Sequence, residues 1–285
     1  MKASFLLFCL LFQGITSELF IDLSQCGDVP VKNKLVQVGT TNCSDQRLDF
    51  SEVAEKLLQL DLDRNVIAIN ARKKCWSTAA DPYREPLLLS YYSELMHKNT
   101  TKELIKLLDM GQTALGHQDA FLTAIVNTKV MHCLGDYLWA KGLITRNLWD
   151  VLDEYWFTEY QRGYKMSSGF EHVFVGELKL GYIKGLHNWE GLKKKGYPFC
   201  FTKVVRLDQK GYVVEARLQR GNQIKTFFVE TTPELEMAFY TLCFSFRTFD
   251  KRHECFFNFR NFYIRTFKHN LGYTEVIEAS YPIVL

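Results

Sequence analysis

The sequence predicts an α+β protein, with a helical N-terminal lobe followed by a β-rich lobe. Three observations lead there. Apolar residues recur at helical intervals, behind helix-start signals, before residue 166. Near residue 168 the pattern changes to β-rich runs separated by turn composition. The helices come first and the strands later, where an α/β chain would alternate them. The 285 residues have room for one large domain or two ordinary ones, and 47% hydrophobic content is ordinary for a globular chain. Lys+Arg 35 against Asp+Glu 32 gives a net charge of +3, too weak for the whole chain to hold a polyanion. A polyanion site must be a local patch.

The chain opens with Met1-Lys2, an apolar run over residues 5–12, and then Gln13-Gly14-Ile15-Thr16-Ser17. A basic start, a short apolar stretch and small residues predict a cleaved signal peptide at 1–17 and a secreted mature chain. The run is too short to cross a bilayer and no later segment is long enough, so no membrane span is expected. Residues 18–166 form the expected helical part and residues 167–285 the β-rich part. Cys9 leaves with the signal, and seven cysteines remain: Cys26, Cys43, Cys75, Cys133, Cys200, Cys243 and Cys255. Export permits disulfides, and the odd number leaves at least one thiol free or paired between chains. Cys133 and Cys243 lie in apolar helical patterns and are expected to be buried free thiols. Asn42-Cys43-Ser44 and Asn99-Thr100-Thr101 are glycosylation sequons, with Asn42 and Asn99 as acceptors.

Each element has its local signal. Asp49 with Glu52 forms a capping box before Val53, Ala54, Leu57 and Leu58. Thr100 with Glu103 repeats it before Leu104, Leu107 and Leu108, and residues 119–134 continue with Ala120, Ala124, Val130 and Leu134. Thr145 precedes Leu148, Val151, Leu152 and Tyr155 at i, i+3, i+4, i+7. Val173, Val175 and Leu178 suit a strand. Residues 204–207, 212–218 and 224–229 are β-rich, separated by Asp208-Gln209-Lys210-Gly211 and Gln219-Arg220-Gly221-Asn222. Thr232-Pro233-Glu234 opens a helix with proline at its first position. Residues 256–267 and 273–281 return to strand-like alternation.

The most informative segment is Ser167-Ser168-Gly169-Phe170-Glu171-His172-Val173-Phe174-Val175-Gly176-Glu177, followed by Gly185-Leu186-His187-Asn188-Trp189. From spacing alone, a satisfied structural or surface histidine is the commoner explanation of each imidazole. Two histidines and a lysine nevertheless suffice to cut RNA through its own 2′-hydroxyl. One imidazole takes the hydroxyl proton, the other protonates the leaving 5′-oxygen, and an ammonium offsets charge on the phosphorane. Two geometries would bring the pair together. A hairpin of 172–178 with 181–187 would set His172 against His187, but Lys179-Leu180 is poor two-residue turn chemistry. Alternatively His187 starts a helix through Trp189, Leu192 and Lys195 that ends at Gly196, which is the favoured geometry.

These motifs resemble the EndoU (XendoU-like) poly(U)-specific endoribonucleases, distant relatives of the coronavirus uridylate-specific endoribonuclease. Residues 167–177 match that family's signature almost unbroken, and residues 185–189 are similar to its second histidine motif. Leu60-Asp61-Leu62-Asp63-Arg64-Asn65, Trp156-Phe157-Thr158-Glu159-Tyr160, residues 231–238 and Ser280-Tyr281-Pro282 extend the resemblance over nearly all of the mature chain.

The resemblance implies cleavage of single-stranded RNA at uridines, stimulated by Mn²⁺ or Ca²⁺, with 2′,3′-cyclic phosphate products. It implies His172 as general acid and His187 as general base, with Glu171 and Glu177 in support and Tyr281 stacking on uracil. The family lysine is assigned to Lys225, although an ungapped comparison falls nearer Asn222. Where the family often carries a hydroxyl residue to read the uracil edge, this chain has Ala279, and Ser280 is the neighbouring substitute. Metal ligands are not assigned, and a monomer is expected.

Other features carry two explanations each. Lys193-Lys194-Lys195 suits an RNA backbone or a solvated helix end. Phe257, Phe259, Phe262, Tyr263 and Phe267, interleaved with Arg260, Arg265 and Lys268, suit a single-strand-binding face, or more often an amphipathic strand that buries its phenylalanines. Asp61, Asp63 and Glu171 are possible Ca²⁺ ligands without EF-hand spacing. Zinc on His172, His187 and Cys200 lacks any tight ligand pair. The rival functions are an RNA-binding protein on an EndoU scaffold with weak or lost catalysis, and a protein-interaction module with a vestigial site. Gly-x-Ser-x-Gly and P-loop motifs are absent, which disfavours a serine hydrolase and a P-loop nucleotidase.

Overall fold

The structure is a computed structural model. It describes residues 42–61, 94–110, 117–208, 211–218, 222–246, 252–256 and 261–285. The expected signal peptide, Cys26, Cys75 and Asp63 lie outside the described residues.

Helix α1 (Phe50–Leu60) starts on the expected capping box. The Glu52 amide donates to Asp49 Oδ1 at 2.8 Å and the Asp49 amide donates to Glu52 Oε2 at 2.8 Å. After a 3₁₀ turn (Glu94–His97), α2 (Asn99–Met110) begins one residue before Thr100. Thr100 therefore sits within the first turn and is not the cap. The apolar stretch 119–134 is two helices, α3 (Gln118–Val126) and α4 (Lys129–Ala140). Thr128 ends continuity there by capping α4, its hydroxyl accepting from the Met131 amide at 3.2 Å. Ala120 is exposed; Phe121, Leu122 and Ile125 form the buried face. Helix α5 (Leu148–Phe157) is capped by Asn147 and not by Thr145.

Two short hairpins follow. β1 (Tyr160–Arg162) pairs with β2 (Lys165–Ser167), and β3 (Glu177–Lys179) with β4 (Tyr182–Lys184). Between them, residues Glu171–Val175 form a π-helical turn, all buried. Val173 and Val175 are therefore helical core residues; the strand period there comes from a turn sandwiched in the core. Helix α6 (Trp189–Lys195) runs from its Asn188 cap to Gly196, so the expected helix forms, but it starts after His187, which precedes the cap. Next come the antiparallel meander β5 (Phe199–Arg206), β6 (Tyr212–Leu218) and β7 (Gln223–Val229), the helix α7 (Pro233–Ser245), and a second sheet of order β10–β9–β8. Its strands are β8 (Arg252–Phe256), β9 (Phe262–Asn270) and β10 (Glu275–Val284), so 256–267 is two strands and not one.

α7 is buried on every face, which marks it as the central helix. Its Thr232 cap accepts from the Leu235 amide at 3.2 Å, with Pro233 at the first helical position. α1, α4 and β9 pack against it. Trp156 donates its indole N–H to Thr241 at 3.0 Å, and Phe157, Phe170 and Phe174 stack beside it. A second apolar cluster lies between α6 and the β5–β7 sheet, around Trp189 and Phe227. No helix of the described residues is long and apolar enough to cross a membrane.

The expectation of buried free thiols is overturned. Cys43 and Cys133 form a disulfide, and Cys200 and Cys243 are disulfide-bonded as well. A buried cysteine in an apolar helical pattern looks the same in sequence whether its partner is a neighbouring hydrophobe or a cysteine 90 residues away.

Candidate active site

The π-helical turn places His172, and the end of the second hairpin places His187. The two stretches are stitched together by backbone. The Leu186 amide donates to the His172 carbonyl at 2.8 Å, and the His187 amide to the Val173 carbonyl at 2.6 Å. Gly185 permits this approach: its φ is 65°, and a Cβ there would lie 1.8 Å from the His172 carbonyl oxygen. A hairpin does form beside this stitch, but its turn is Leu180-Gly181 and not Lys179-Leu180, with both residues at positive φ. The imidazole rings of His172 and His187 end 6.5 Å apart.

His187 is half-buried. Its Nδ1 lies 3.0 Å from the Thr226 carbonyl oxygen. A carbonyl only accepts, so Nδ1 carries the proton and Nε2 presents its lone pair. Burial, and then the positive charge of Lys225, hold its pKa well below the usual histidine value. The ring is therefore neutral near pH 7. Tyr281 stacks on it, centroids 4.4 Å apart and planes within 18°.

His172 is buried, and its Nδ1 meets two groups of opposite sign. Glu177 Oε2 lies at 3.0 Å and Arg162 Nη2 at 2.8 Å. Burial lowers its pKa; Glu177 pulls it up and Arg162 pushes it down. Glu177 itself is held at about 2: burial would raise it, but His172, Ser167 and Arg162 outweigh that. Ser167 donates to Glu177 Oε1, and Arg162 Nε lies 3.2 Å from the same oxygen. Arg162 also donates to the Tyr160 hydroxyl and, at 2.8 Å, to the Glu278 carbonyl, which anchors it to β10. Glu171 is turned away from the imidazoles. Its carboxylate accepts from the Ser168 amide at 3.1 Å while its own amide donates to Ser168 Oγ at 3.2 Å, so it locks the entry to the turn.

Lys225 is buried on β7 and donates to the carbonyls of Ile183 at 2.8 Å and Gly185 at 2.6 Å. An ammonium has three donors, so one remains for a substrate oxygen. Burial, then the charge of Lys184, bring its pKa down to about 8. Its charge acts on both imidazoles. Asn222 instead occupies a turn at φ 51° and accepts from Arg217 at 2.9 Å, a role that suits asparagine.

The geometry thus gathers His172, His187, Lys225, Glu177 and Tyr281. It does not gather Ser280, which is fully buried on the opposite face of β10 against Thr266 at 2.9 Å. Arg162 and Ser167 are site residues to which sequence reasoning assigns no role, although Ser167 opens the histidine motif and Arg162 lies five residues before it. Zinc on Cys200 is excluded by its disulfide. Asp61 lies under α7, where it accepts from the Thr232 amide at 3.4 Å. Among the described residues, no three His, Cys, Asp or Glu side chains gather to hold a metal ion, and Glu177 and Glu171 are already engaged by protein donors. The residues present do not fit a metal in this site. Lys193 pairs with Glu190 at 2.6 Å and Lys194 with Asp109, as a helix end would, and β9 buries Phe262, as an amphipathic strand would.

A family model described as endoribonuclease XendoU matches residues 49–282. A human uridylate-specific endoribonuclease is 30% identical over 227 residues, covering 69% of this chain and 55% of that protein. Uridylate-specific endoribonuclease D of Xenopus laevis is 29% identical over 275 residues, covering 86% of each. A solved structure of XendoU, described as a splicing-independent snoRNA-processing endoribonuclease, aligns with a TM-score of 0.66 at 26% identity, over 83% of this chain and 96% of that one.

Proposed function

This chain belongs to the XendoU endoribonuclease family, and on that premise we propose that it cleaves single-stranded RNA at uridines by 2′-hydroxyl transesterification, leaving 2′,3′-cyclic phosphate ends. The observation that carries this reading is the convergence of two imidazoles, 6.5 Å apart, with one buried ammonium.

His187 is the general base. It is neutral near pH 7 and its Nδ1 is held by Thr226, so its Nε2 takes the 2′-hydroxyl proton. His172 is the general acid and delivers the Nε2 proton to the departing 5′-oxygen. Its Nε2 carries a proton as imidazolium against Glu177, and also as the neutral tautomer whose Nδ1 accepts from Arg162. Lys225 donates its remaining N–H to the phosphorane oxygen. Glu177 and Arg162 position His172, and Tyr281 offers its outer face to the uracil. Stimulation by Mn²⁺ or Ca²⁺ remains a family expectation, and no step here passes through a metal. Secretion is part of the same reading. The sequence of residues 1–17, the disulfide between Cys43 and Cys133 and the exposed acceptors Asn42 and Asn99 support it.

The test incubates the purified mature protein with a uridine-containing oligonucleotide, with and without Mn²⁺ or Ca²⁺, and identifies the product ends. Cyclic phosphates lost in His172→Ala and His187→Ala are expected. Ends carrying a 3′-hydroxyl, or undiminished turnover in either variant, would overturn the mechanism. RNA binding by wild type without any cleavage would favour the non-catalytic scaffold.

A further inference from the structure

Five of the ten exposed large hydrophobic side chains among the described residues crowd into the two hairpins flanking His172: Tyr164, Met166, Leu178, Leu180 and Tyr182. Tyr164 is 95% exposed, Leu180 90% and Tyr182 52%. The hairpin tips touch. A Cβ on Gly163 would meet Lys179 Nζ at 2.9 Å, and that ammonium lies 5.8 Å from the Tyr164 ring centroid. Neither core packing nor backbone preference explains the composition. Leu180 sits at φ 50°, where glycine or asparagine would be less strained.

Pairing register fixes which face this surface shares. Glu177 opposes Lys184 and Lys179 opposes Tyr182, so the four side chains project from one face of the hairpin. Glu177 holds His172 on that face. Lys184 is exposed and lies between Ile183 and Gly185, whose carbonyls hold the Lys225 ammonium, which places it at the rim of the site. Lys179 and Tyr182 therefore continue outward from the reacting centre by one pleat, about 7 Å at roughly 3.3 Å per residue. Glu177 is the sole acid in the two hairpins, residues 160–167 and 177–184, and it is engaged inward. The outward charges, on Lys165, Lys179 and Lys184, are all positive.

We propose that the paired hairpin tips are a platform for the RNA nucleotides flanking the cleaved uridine, with Tyr164 and Tyr182 stacking on bases and Lys179 and Lys184 tracking phosphates. Exposed aromatics interleaved with cations, and continuous with a phosphodiester site, match single-stranded RNA in chemistry and place. This rests on the nuclease reading above and adds to it a requirement for substrate length.

The test compares the double variant Tyr164→Ala/Tyr182→Ala with wild type on a uridine dinucleotide and on dodecauridylate. The expected result is that the preference for the long substrate, as the ratio of kcat/KM values, falls roughly 30-fold or more, since two stacks are lost. Tyr164→Phe/Tyr182→Phe retains the preference, because stacking survives loss of the hydroxyls. Trp139→Ala, an exposed aromatic on α4, leaves both substrates unchanged. A parallel arm uses fluorescence anisotropy with an oligonucleotide carrying 2′-deoxyuridine, which cannot be cleaved by this mechanism. If wild type cleaves nothing, the nuclease reading fails and the anisotropy arm alone decides the platform. An unchanged Kd and length preference in the double alanine variant overturn the proposal and leave the tips as a protein-docking surface. An equal loss on dinucleotide and dodecamer also overturns it, as general damage to the site.

Discussion

The ring of Tyr281 lies flat against the imidazole of His187, with centroids 4.4 Å apart. One aromatic thus forms a wall beside the general base. Phe267, a diagonal neighbour on β9, lies 6.3 Å from the same ring. Tyr281→Ala is expected to lower kcat/KM on uridine substrates roughly 5- to 100-fold, the range for loss of one base–aromatic stack. Tyr281→Phe should keep most of the activity. Equal losses in both variants would show that the hydroxyl, and not the ring face, matters.

The pH dependence follows from two depressed pKa values. His187 must be neutral to accept a proton, and its pKa lies well below the usual histidine value. Activity should therefore persist as pH falls through 6.5, the ordinary value, and fail only further down. Lys225 must be charged, and it loses its proton as pH rises through about 8. The alkaline limb of the kcat/KM profile is expected there. Lys225→Met should abolish that limb along with most of the rate. An alkaline limb unchanged in Lys225→Met assigns it to another group.

Arg162 and Glu177 pull the His172 proton in opposite directions. Removing the cation should raise the His172 pKa, and removing the carboxylate should lower it. NMR titration of the His172 ring in Arg162→Gln and Glu177→Gln measures both signs. Shifts of the same sign in the two variants would rule out the opposition. Glu177 also bears on stability. Its pKa is depressed to about 2 from 4.5, so its stabilising contribution is present above pH 4.5 and lost as pH falls toward 2.

The Cys43–Cys133 bridge closes a loop of 90 residues within the helical part. Cys43→Ser should lower unfolding free energy by about 2–5 kcal/mol in urea titration. Activity of the folded fraction should stay near wild type, since neither cysteine belongs to the site. A loss of activity without loss of stability would tie this bridge to the active site.

Local signals were legible wherever a few neighbouring residues settle the structure. Asp49 and Glu52 started α1, Thr232-Pro233 started α7, and the turn residues divided β5 to β7 close to their observed ends. The two histidine motifs were legible too, because their glycines serve a close backbone approach that tolerates little variation. Misreadings arose where the deciding partner was remote or where the local period was ambiguous. Val173 and Val175 alternate as a strand would, yet a π-helical turn buries both from the surrounding core.

The amino-acid sequence alone determined the helices-then-strands order, the pair of imidazoles and the family to which they belong. Tertiary structure decided the rest of the site. Arg162 reaches His172 only because the β1–β2 hairpin is anchored to β10 through Glu278. Ser280 points into the core because a register shift between Ile277 and Ala279 resets which residues of β10 face outward. A one-residue slip reverses every side chain that follows, and nothing in the strand's own composition records it. The hydrogen bonds between β9 and β10 set that register, and with it they chose Tyr281 over Ser280.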